Sequence, residues 1–315
     1  MKLIIQIPCF NEADQIADTL AAIPKVVTGV DVVETLVIDD GSDDDTATIA
    51  TEAGADHVVR VARNQGLAKT FMTGLEACLE RGADIIVNCD ADNQYDAGAI
   101  PELVAPIIER GAGLVVGERP IADIAHFSPL KRKLQNLGSW AVRRASRVDV
   151  GDAPSGFRAF DRETALSLYV FSNYTYTLET LIQAGRMGIP IETVPVDVNP
   201  PTRPSRLIRS MWGYVLRSAW TIIRIFILYN PLKFFSVLSV LLALPGLAAF
   251  GRFMIFFLQG DGGGHTQSLI AGAVFLIMAS VTMAAGLLAD LVAANRVLLA
   301  EIRKRQIKAR LEPPK

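Results

Sequence analysis

Apolar and polar positions follow two regimes along the chain. Through about residue 120, short apolar runs at 2–9, 32–40, 57–61, 84–89 and 113–117 alternate with stretches of helical spacing at 12–23, from 44, 66–81 and 100–110. Continuous apolar runs of strand length indicate strands covered on both faces. Their alternation with helices predicts an α/β architecture, a mainly parallel sheet with helices on both faces. A basic helix is expected over 129–147, a turn-rich stretch over 150–161, a helix over 176–188 and an alternating edge-type strand over 189–198.

Past the prolines at 200, 201 and 204 the pattern changes. Residues 205–229 set Arg206, Arg209, Arg217 and Arg224 against Trp212, Leu216, Trp220 and Ile223 at helical intervals, the composition of a helix lying in a membrane interface. Two apolar runs follow, at 234–258 and 269–289. At about 25 and about 21 residues, each is long enough to cross a bilayer as a helix. The short Gly-rich link over 259–267 makes them a hairpin. Basic residues precede the first run (Arg217, Arg224, Lys233) and follow the second (Arg296, Arg303, Lys304, Arg305). The positive-inside rule therefore puts both ends, and the globule before them, in the cytoplasm. Arg252, near the outer end of the first run, is placed to snorkel to the far interface or to meet a lipid phosphate. The chain divides into a cytosolic domain over 1–200, interface helices over 201–232, a hairpin over 233–296 and a basic tail over 297–315.

Charge sharpens this division. The net charge of −2 hides a split: residues 200–315 carry 14 Lys+Arg against 4 Asp+Glu, and the rest carries 17 against 29. An acidic globule followed by a basic, apolar tail suits a domain tethered to anionic lipid. Cys9, Cys78 and Cys89 are odd in number and sit in apolar stretches, which implies reduced core thiols and a reducing compartment. His57, His126 and His265 are scattered away from any cysteine pair, which excludes a structural zinc site. The chain lacks a basic-aromatic platform for nucleic acid. Its first residues read as a strand interrupted by Pro8, Asn11 and Glu12, rather than as a signal peptide.

Four polar clusters, 8–12, 39–42, 90–94 and 117–119, fall at the carboxyl ends of expected strands, where open parallel sheets bind ligands. Asp90 and Asp92 alternate along an extended segment, so their carboxylates share one side. Mg²⁺ takes one or two carboxylates together with substrate phosphates. Gln94 stands two residues on to add a third oxygen. A metal-held diphosphate followed by membrane-length runs points to transfer of a sugar from a soluble nucleotide onto a lipid.

Ile7-Pro8-Cys9-Phe10-Asn11-Glu12, Val37-Ile38-Asp39-Asp40-Gly41-Ser42, Asn64-Gln65-Gly66, Asp90-Ala91-Asp92-Asn93-Gln94 and Ser155-Gly156-Phe157-Arg158 stand in this order along the chain. In that order they resemble the family 2 glycosyltransferases, nearest the dolichol-phosphate mannose synthases and bacterial polyprenyl-phosphate glycosyltransferases. The resemblance implies the GT-A fold, Rossmann-like, with interface helices and two transmembrane helices appended. It places Pro8, Glu12 and Asp40 in the nucleoside pocket with Asp39 nearby. It assigns Asp90, Asp92 and Gln94 to Mg²⁺ or Mn²⁺, Arg119 to a phosphate, and Asp152 to the catalytic aspartate, with Asp149 a competing carboxylate. Arg203 and Arg206 resemble positions that meet the acceptor phosphate or the membrane.

The resemblance further implies an inverting transfer from a nucleotide-sugar, UDP favoured over GDP and glucose or an N-acetylhexosamine favoured as the sugar. The acceptor would be undecaprenyl phosphate in a bacterial inner membrane, and the enzyme a homo-oligomer as large as a tetramer. Two rivals stand beside this reading. One is a transferase acting on another acceptor: a processive polysaccharide synthase, whose Gln-x-x-Arg-Trp signature the nearest string here, Gln183–Met187, lacks in ending in Met, or a transferase acting on protein or a glycolipid. A non-catalytic membrane scaffold would not need Asp90, Asp92, Gln94 and Asp152 intact.

Overall fold

Seven of the eight residues of Lys2–Cys9 (β1) are buried, as its unbroken apolar run requires of a strand covered on both faces. The computed structural model describes residues 1–120, 150–170, 176–199, 220, 223–224 and 227–311. The expected helix over 129–147, Asp149, Arg203 and Arg206 lie outside the described residues. Around β1 the chain lays down β2 (Val32–Asp39), β3 (His57–Arg60), β4 (Ile85–Asn88), β5 (Leu114–Glu118), β6 (Arg158–Asp161) and β7 (Ile191–Pro195). They form one sheet in the order β3-β2-β1-β4-β6-β5-β7. β1, β2, β3 and β4 run parallel, and β5 runs parallel to β7. Only β6, between β4 and β5, is antiparallel to its neighbours. The expected edge strand is found at the edge as β7, but the stretch expected to be turns over 150–161 contains β6, an inner strand.

Among the described residues, helices α1 (Ile16–Ala22), α2 (Thr46–Glu52), α3 (Leu67–Glu80), α4 (Ile100–Arg110), α5 (Arg162–Ser167) and α6 (Thr177–Arg186) pack with this sheet. Leu3, Ile5 and Ile7 share a core with Ile16 and Leu20 of α1 and with Leu103 and Val104 of α4. On the opposite face Gly74 of α3 lies over Gln6 and Ile38. Cys9, Cys78 and Cys89 are free and buried, and burial pushes their thiols well above the ordinary range. They are core residues, unreactive as nucleophiles.

The sheet splits open at Pro8. Alternate residues of a strand address alternate neighbours, and here Cys9 O accepts from Asp40 N at 2.9 Å while Gln6 O accepts from Cys89 N at 3.0 Å. Pro8 therefore faces the β4 side, just past the last β1–β4 pair, Gln6 with Asn88. A proline there forfeits no ladder bond. Beyond it the β4 chain diverges into Cys89-Asp90, at the crevice where the strand order reverses.

Residues 219–299 form a second unit. Its helices α7 (Pro231–Leu258) and α8 (Thr266–Leu311) are long and apolar enough to cross a membrane. They run antiparallel, with Ser239 Oγ donating to Ala279 O at 2.8 Å and Ser236 Oγ set 3.6 Å from Met283 Sδ. The last turns of α8, from residue 300, group with the first unit. There Arg303 pairs with Glu76, Lys304 and Lys308 with Glu163, and Arg310 with Glu80. These pairs are part-exposed and contribute at most about 1 kcal/mol each.

Candidate active site

The ends of β1, β2, β4 and β5 lie at one edge of the sheet, and β6, running the other way, starts from that edge. Five loops meet there. After β2, Asp39 is fully buried and Asp40 nearly so. Asp40 accepts from Gln65 N at 2.9 Å on one carboxylate oxygen and from Gly66 N at 2.8 Å on the other, holding the 64–66 turn that leads into α3. Asp39 accepts from Ser42 N at 2.9 Å on Oδ1, and its Oδ2 lies 3.2 Å from Arg60 Nε. Asn11, in the left-handed region at φ 55°, receives Asp43 N at 2.9 Å and donates its own N–H to Ser42 Oγ at 2.9 Å. Asparagine tolerates that conformation. Glu12 N donates to Thr46 Oγ1 at 2.9 Å. The first two loops are thus stitched to one another.

Gly41 is obligatory in this weave. Its φ is +72°, and a Cβ would lie 2.7 Å from the Arg63 carbonyl carbon. Left-handed strain plus overpacking predicts that Gly41→Ala destabilises the protein by about 2–4 kcal/mol. Denaturant unfolding would measure this, and a loss under about 0.5 kcal/mol would refute it.

After β4 come Asp90 and Asp92, both half-buried. Asp92 Oδ1 accepts from Gln94 N at 3.2 Å. Burial pushes the Asp90 carboxyl up to about 7, the Asp92 charge adding to the rise and Arg119 and Arg158 opposing it. Asn93 takes a left-handed conformation, φ 53°, and its carbonyl accepts from Asn199 Nδ2 at 3.0 Å, which ties this loop to the segment after β7. Gly156 packs against Asp90: a Cβ there would lie 2.8 Å from Asp90 Oδ2 and 2.9 Å from Tyr176 Oη.

After β5, Arg119 makes a two-pronged pair with Asp152. Nε donates to Oδ2 at 2.6 Å and Nη2 to Oδ1 at 3.0 Å, and Asp152 is 1% exposed. Burial acts to lower the guanidinium, but the Asp152 hydrogen bonds and nearby negative groups outweigh it and hold Arg119 above its ordinary range. The same guanidinium lies 5.7 Å from the centre of the Tyr95 ring. The Tyr95 hydroxyl accepts from Gly156 N at 3.2 Å, and its ring stacks on Phe157 at 5.2 Å. Tyr95 thereby joins the acidic loop, the 152–157 loop and Arg119, a junction the motif pattern did not reveal.

Arg158 closes the Ser155-Gly156-Phe157-Arg158 motif and sits at the start of β6. It is fully buried and donates to Ser155 O at 2.8 Å, Ala153 O at 2.7 Å, Thr177 O at 2.6 Å and Thr180 Oγ1 at 2.9 Å. Burial lowers its guanidinium to about 10. The structure brings Asp39, Asp40, Glu12 and Pro8 together at β1 and β2, and Asp90, Asp92, Gln94, Arg119 and Asp152 together at β4, β5 and β6.

The donor set suits a hard divalent cation. Two carboxylates and a glutamine amide offer oxygen donors, and burial, with the Asp92 charge beside it, holds the Asp90 carboxyl high, a cost that a bound cation would offset. Among the described residues no three His, Cys, Asp or Glu side chains converge as a closed cage. A Mg²⁺-type ion is ordinarily completed by phosphates and water, which such an open pair allows.

A Rossmann-like sheet that opens between β1 and β4, with paired acids at the strand end and a buried Arg–Asp pair across from them, defines the GT-A class of transferase. The chain belongs to glycosyl transferase family 2, whose family model matches residues 4–166. It is 34% identical over 216 residues to an uncharacterized glycosyltransferase of Mycobacterium tuberculosis, covering 67% of this chain and 92% of that one. It is 29% identical over 206 residues to the undecaprenyl-phosphate mannosyltransferase of Micrococcus luteus, covering 62% and 83%. Among solved structures it resembles glucosyl-3-phosphoglycerate synthase from Mycobacterium tuberculosis in complex with Mn²⁺, UDP-glucose and phosphoglyceric acid. The TM-score there is 0.56 at 25% identity, with 70% of this chain and 79% of that one covered. The chain is therefore a glycosyltransferase, with two apolar C-terminal helices that fit a hairpin.

Proposed function

We propose that the enzyme transfers a sugar from a nucleotide-sugar to a polyprenyl phosphate, undecaprenyl phosphate in a bacterial inner membrane, from the cytoplasmic face. The supporting observation is the convergence of Asp90 and the Arg119–Asp152 pair on Tyr95 and Gly156. That arrangement sets a diphosphate site beside a fixed guanidinium. In this reading residues 1–200 make the catalytic domain, 201–232 the interface segment with Arg203 and Arg206 assigned to the acceptor phosphate, 233–296 the membrane hairpin and 297–315 the basic tail.

In this reading Pro8, Glu12, Asp39 and Asp40 shape the nucleoside pocket. Asp40 acts through the 64–66 turn it grips, since its two oxygens already accept backbone N–H groups. Asp90, Asp92 and Gln94 hold Mg²⁺ or Mn²⁺, which when bound supplies charge neutralisation for the departing diphosphate. A phosphate monoester is largely dianionic at neutral pH and attacks without a strong base. One of its oxygens bonds to the anomeric carbon as the bond to the nucleotide's β-phosphate oxygen breaks, and the electron pair leaves with the nucleoside diphosphate. Attack from the opposite face inverts the configuration. Both Asp152 oxygens are occupied by Arg119, so Asp152 serves as an orienting group that fixes the guanidinium for phosphate.

UDP-linked glucose or N-acetylhexosamine is the favoured donor, in keeping with the UDP-glucose held by the mycobacterial synthase. The Micrococcus relative supports a second reading, mannose. Incorporation of each radiolabelled sugar into organic-extractable product decides between them. Purified protein would receive undecaprenyl phosphate and one UDP- or GDP-sugar at a time, with Mg²⁺, Mn²⁺ or EDTA. Label in the lipid phase with one donor, abolished by EDTA, is the expected result; no transfer with any donor from nucleotide-binding protein would overturn the acceptor assignment.

Gly156→Ala tests the Asp90 contact. The added methyl would push on the Asp90 carboxylate and the Tyr176 hydroxyl. At about 1–3 kcal/mol of overpacking, Mn²⁺-dependent UDP binding falls roughly tenfold or more while the fold persists. Calorimetric titration would read the change, and unaltered affinity would count against the placement.

A further inference from the structure

The helical unit carries a groove that the catalytic reading leaves without a role. It measures about 420 Å³, with apolar walls that include Trp220, Ile223, Ile227 and Val292 and two cations, Arg224 and Arg296. No acidic residue lines it among those described. Arg296 Nη2 donates to Leu228 O at 3.0 Å, which fixes the side chain. Its Nε is buried and has no hydrogen-bond partner among the described residues. A buried cationic N–H without an acceptor is destabilising, and an anion in the groove removes that penalty.

An apolar groove with two guanidiniums, beside a helix able to span a membrane, has the chemistry of a lipid-phosphate site. Arginine matches phosphate oxygens with planar pairs of N–H groups, and tryptophan favours the headgroup level. The groove residues lie in the 219–299 unit and none in the catalytic unit. Apolar walls under two guanidiniums match the acyl chains and phosphate of an anionic membrane lipid.

We propose that the groove binds an anionic diacyl phospholipid. Its phosphate lies between Arg224 and Arg296, and its chains run along Trp220, Ile223, Ile227 and Val292. The proposal rests on the membrane reading above but not on the identity of the acceptor.

Trp220 is a built-in probe, since the chain has three tryptophans and Trp140 and Trp212 can be replaced by Phe. The full chain so altered would be reconstituted in phosphatidylcholine bilayers holding a minor fraction of either brominated phosphatidylglycerol or brominated phosphatidylcholine. At equal mole fraction, the brominated anionic lipid should quench Trp220 at least about threefold more strongly, as attraction by two arginines predicts. Arg224→Gln and Arg296→Gln should each bring the two lipids toward equality, and Arg224→Lys should keep a preference. Arg296→Gln also loses the Leu228 contact, but Arg224→Gln does not, so the second variant reads the charge alone.

Equal quenching by both lipids in the protein with both arginines would overturn the proposal, as would a preference that survives both Gln variants. Relief of quenching by equimolar undecaprenyl phosphate would overturn it too, making the groove an acceptor subsite. Quenching requires no turnover. Absence of sugar transfer with the lipid preference intact would therefore count against the proposed reaction and leave this site standing.

Discussion

Asp92→Asn lowers sugar transfer by about 10²–10³-fold, the scale set by removing one preorganised electrostatic group from a reaction centre. Asp90→Asn does at least as much, because the Asp90 carboxylate also packs on Gly156 beside the Tyr95–Arg119 junction. Neither change disrupts the fold. The apolar strand ahead of them, Ile85–Asn88, is buried whatever follows it. Burial and the Asp92 charge already disfavour an ionised Asp90, so an amide there leaves the metal-free protein as stable as before or more so. The ligand response separates a lost site from a lost fold. In the unaltered enzyme Mn²⁺ with UDP raises Tm, since a ligand that binds only the native state stabilises it by RT ln(1 + [L]/Kd). In both variants that rise should vanish while the metal-free Tm holds. Full activity together with an undiminished Tm rise in both would remove the acidic pair from the reaction.

The sequence made this pair legible because strand-end chemistry is local. β1, β4 and β5 show as apolar runs and β2 as an apolar stretch broken by Glu34 and Thr35, and their polar ends follow directly in the chain. β6 did not show. It is only four residues, Arg158–Asp161, with a charged residue at each end and too short for a period to emerge. Its burial comes from lying between β4 and β5, a tertiary fact. The Arg119–Asp152 pair spans 33 positions and obeys no spacing rule. Its members were each expected at the site, but their bond to one another recasts Asp152 from a free carboxylate to an anchored one. Tyr95 carries no signal of its own in the sequence, because its role comes from contacts to Arg119 and Gly156 far along the chain. The helical reach of α8 to Leu311 did leave a signal, the Glu301–Arg305 pair at i,i+4 with no proline before Pro313.

Arg158→Met should be the most destabilising single change in the catalytic unit, at about 4 kcal/mol or more. A buried charge is costly, and methionine of similar reach would relieve that cost if nothing else depended on the guanidinium. Here three carbonyls, of Ala153, Ser155 and Thr177, and the Thr180 hydroxyl do depend on it. Thr177 O and the Thr180 hydroxyl keep the bonds that Thr180 Oγ1 makes to Thr177 O and Tyr176 O, but the Ala153 and Ser155 carbonyls lose this donor, at about 1–3 kcal/mol each. The damage would not stay local. Ala153 and Ser155 flank the turn between Asp152 and Gly156, so the loop that presents Asp152 to Arg119 and packs Gly156 on Asp90 loses its tie to the start of α6. Arg158→Lys retains the charge but lacks the planar fork that reaches several carbonyls at once. It should fold with intermediate stability and bind nucleotide weakly. Chemical denaturation of the three proteins, followed by UDP titration of those that fold, tests the ordering Arg > Lys > Met. A methionine variant as stable as the parent would mean that the loop holds its shape without Arg158, and that the tie between Asp152 and α6 lies elsewhere.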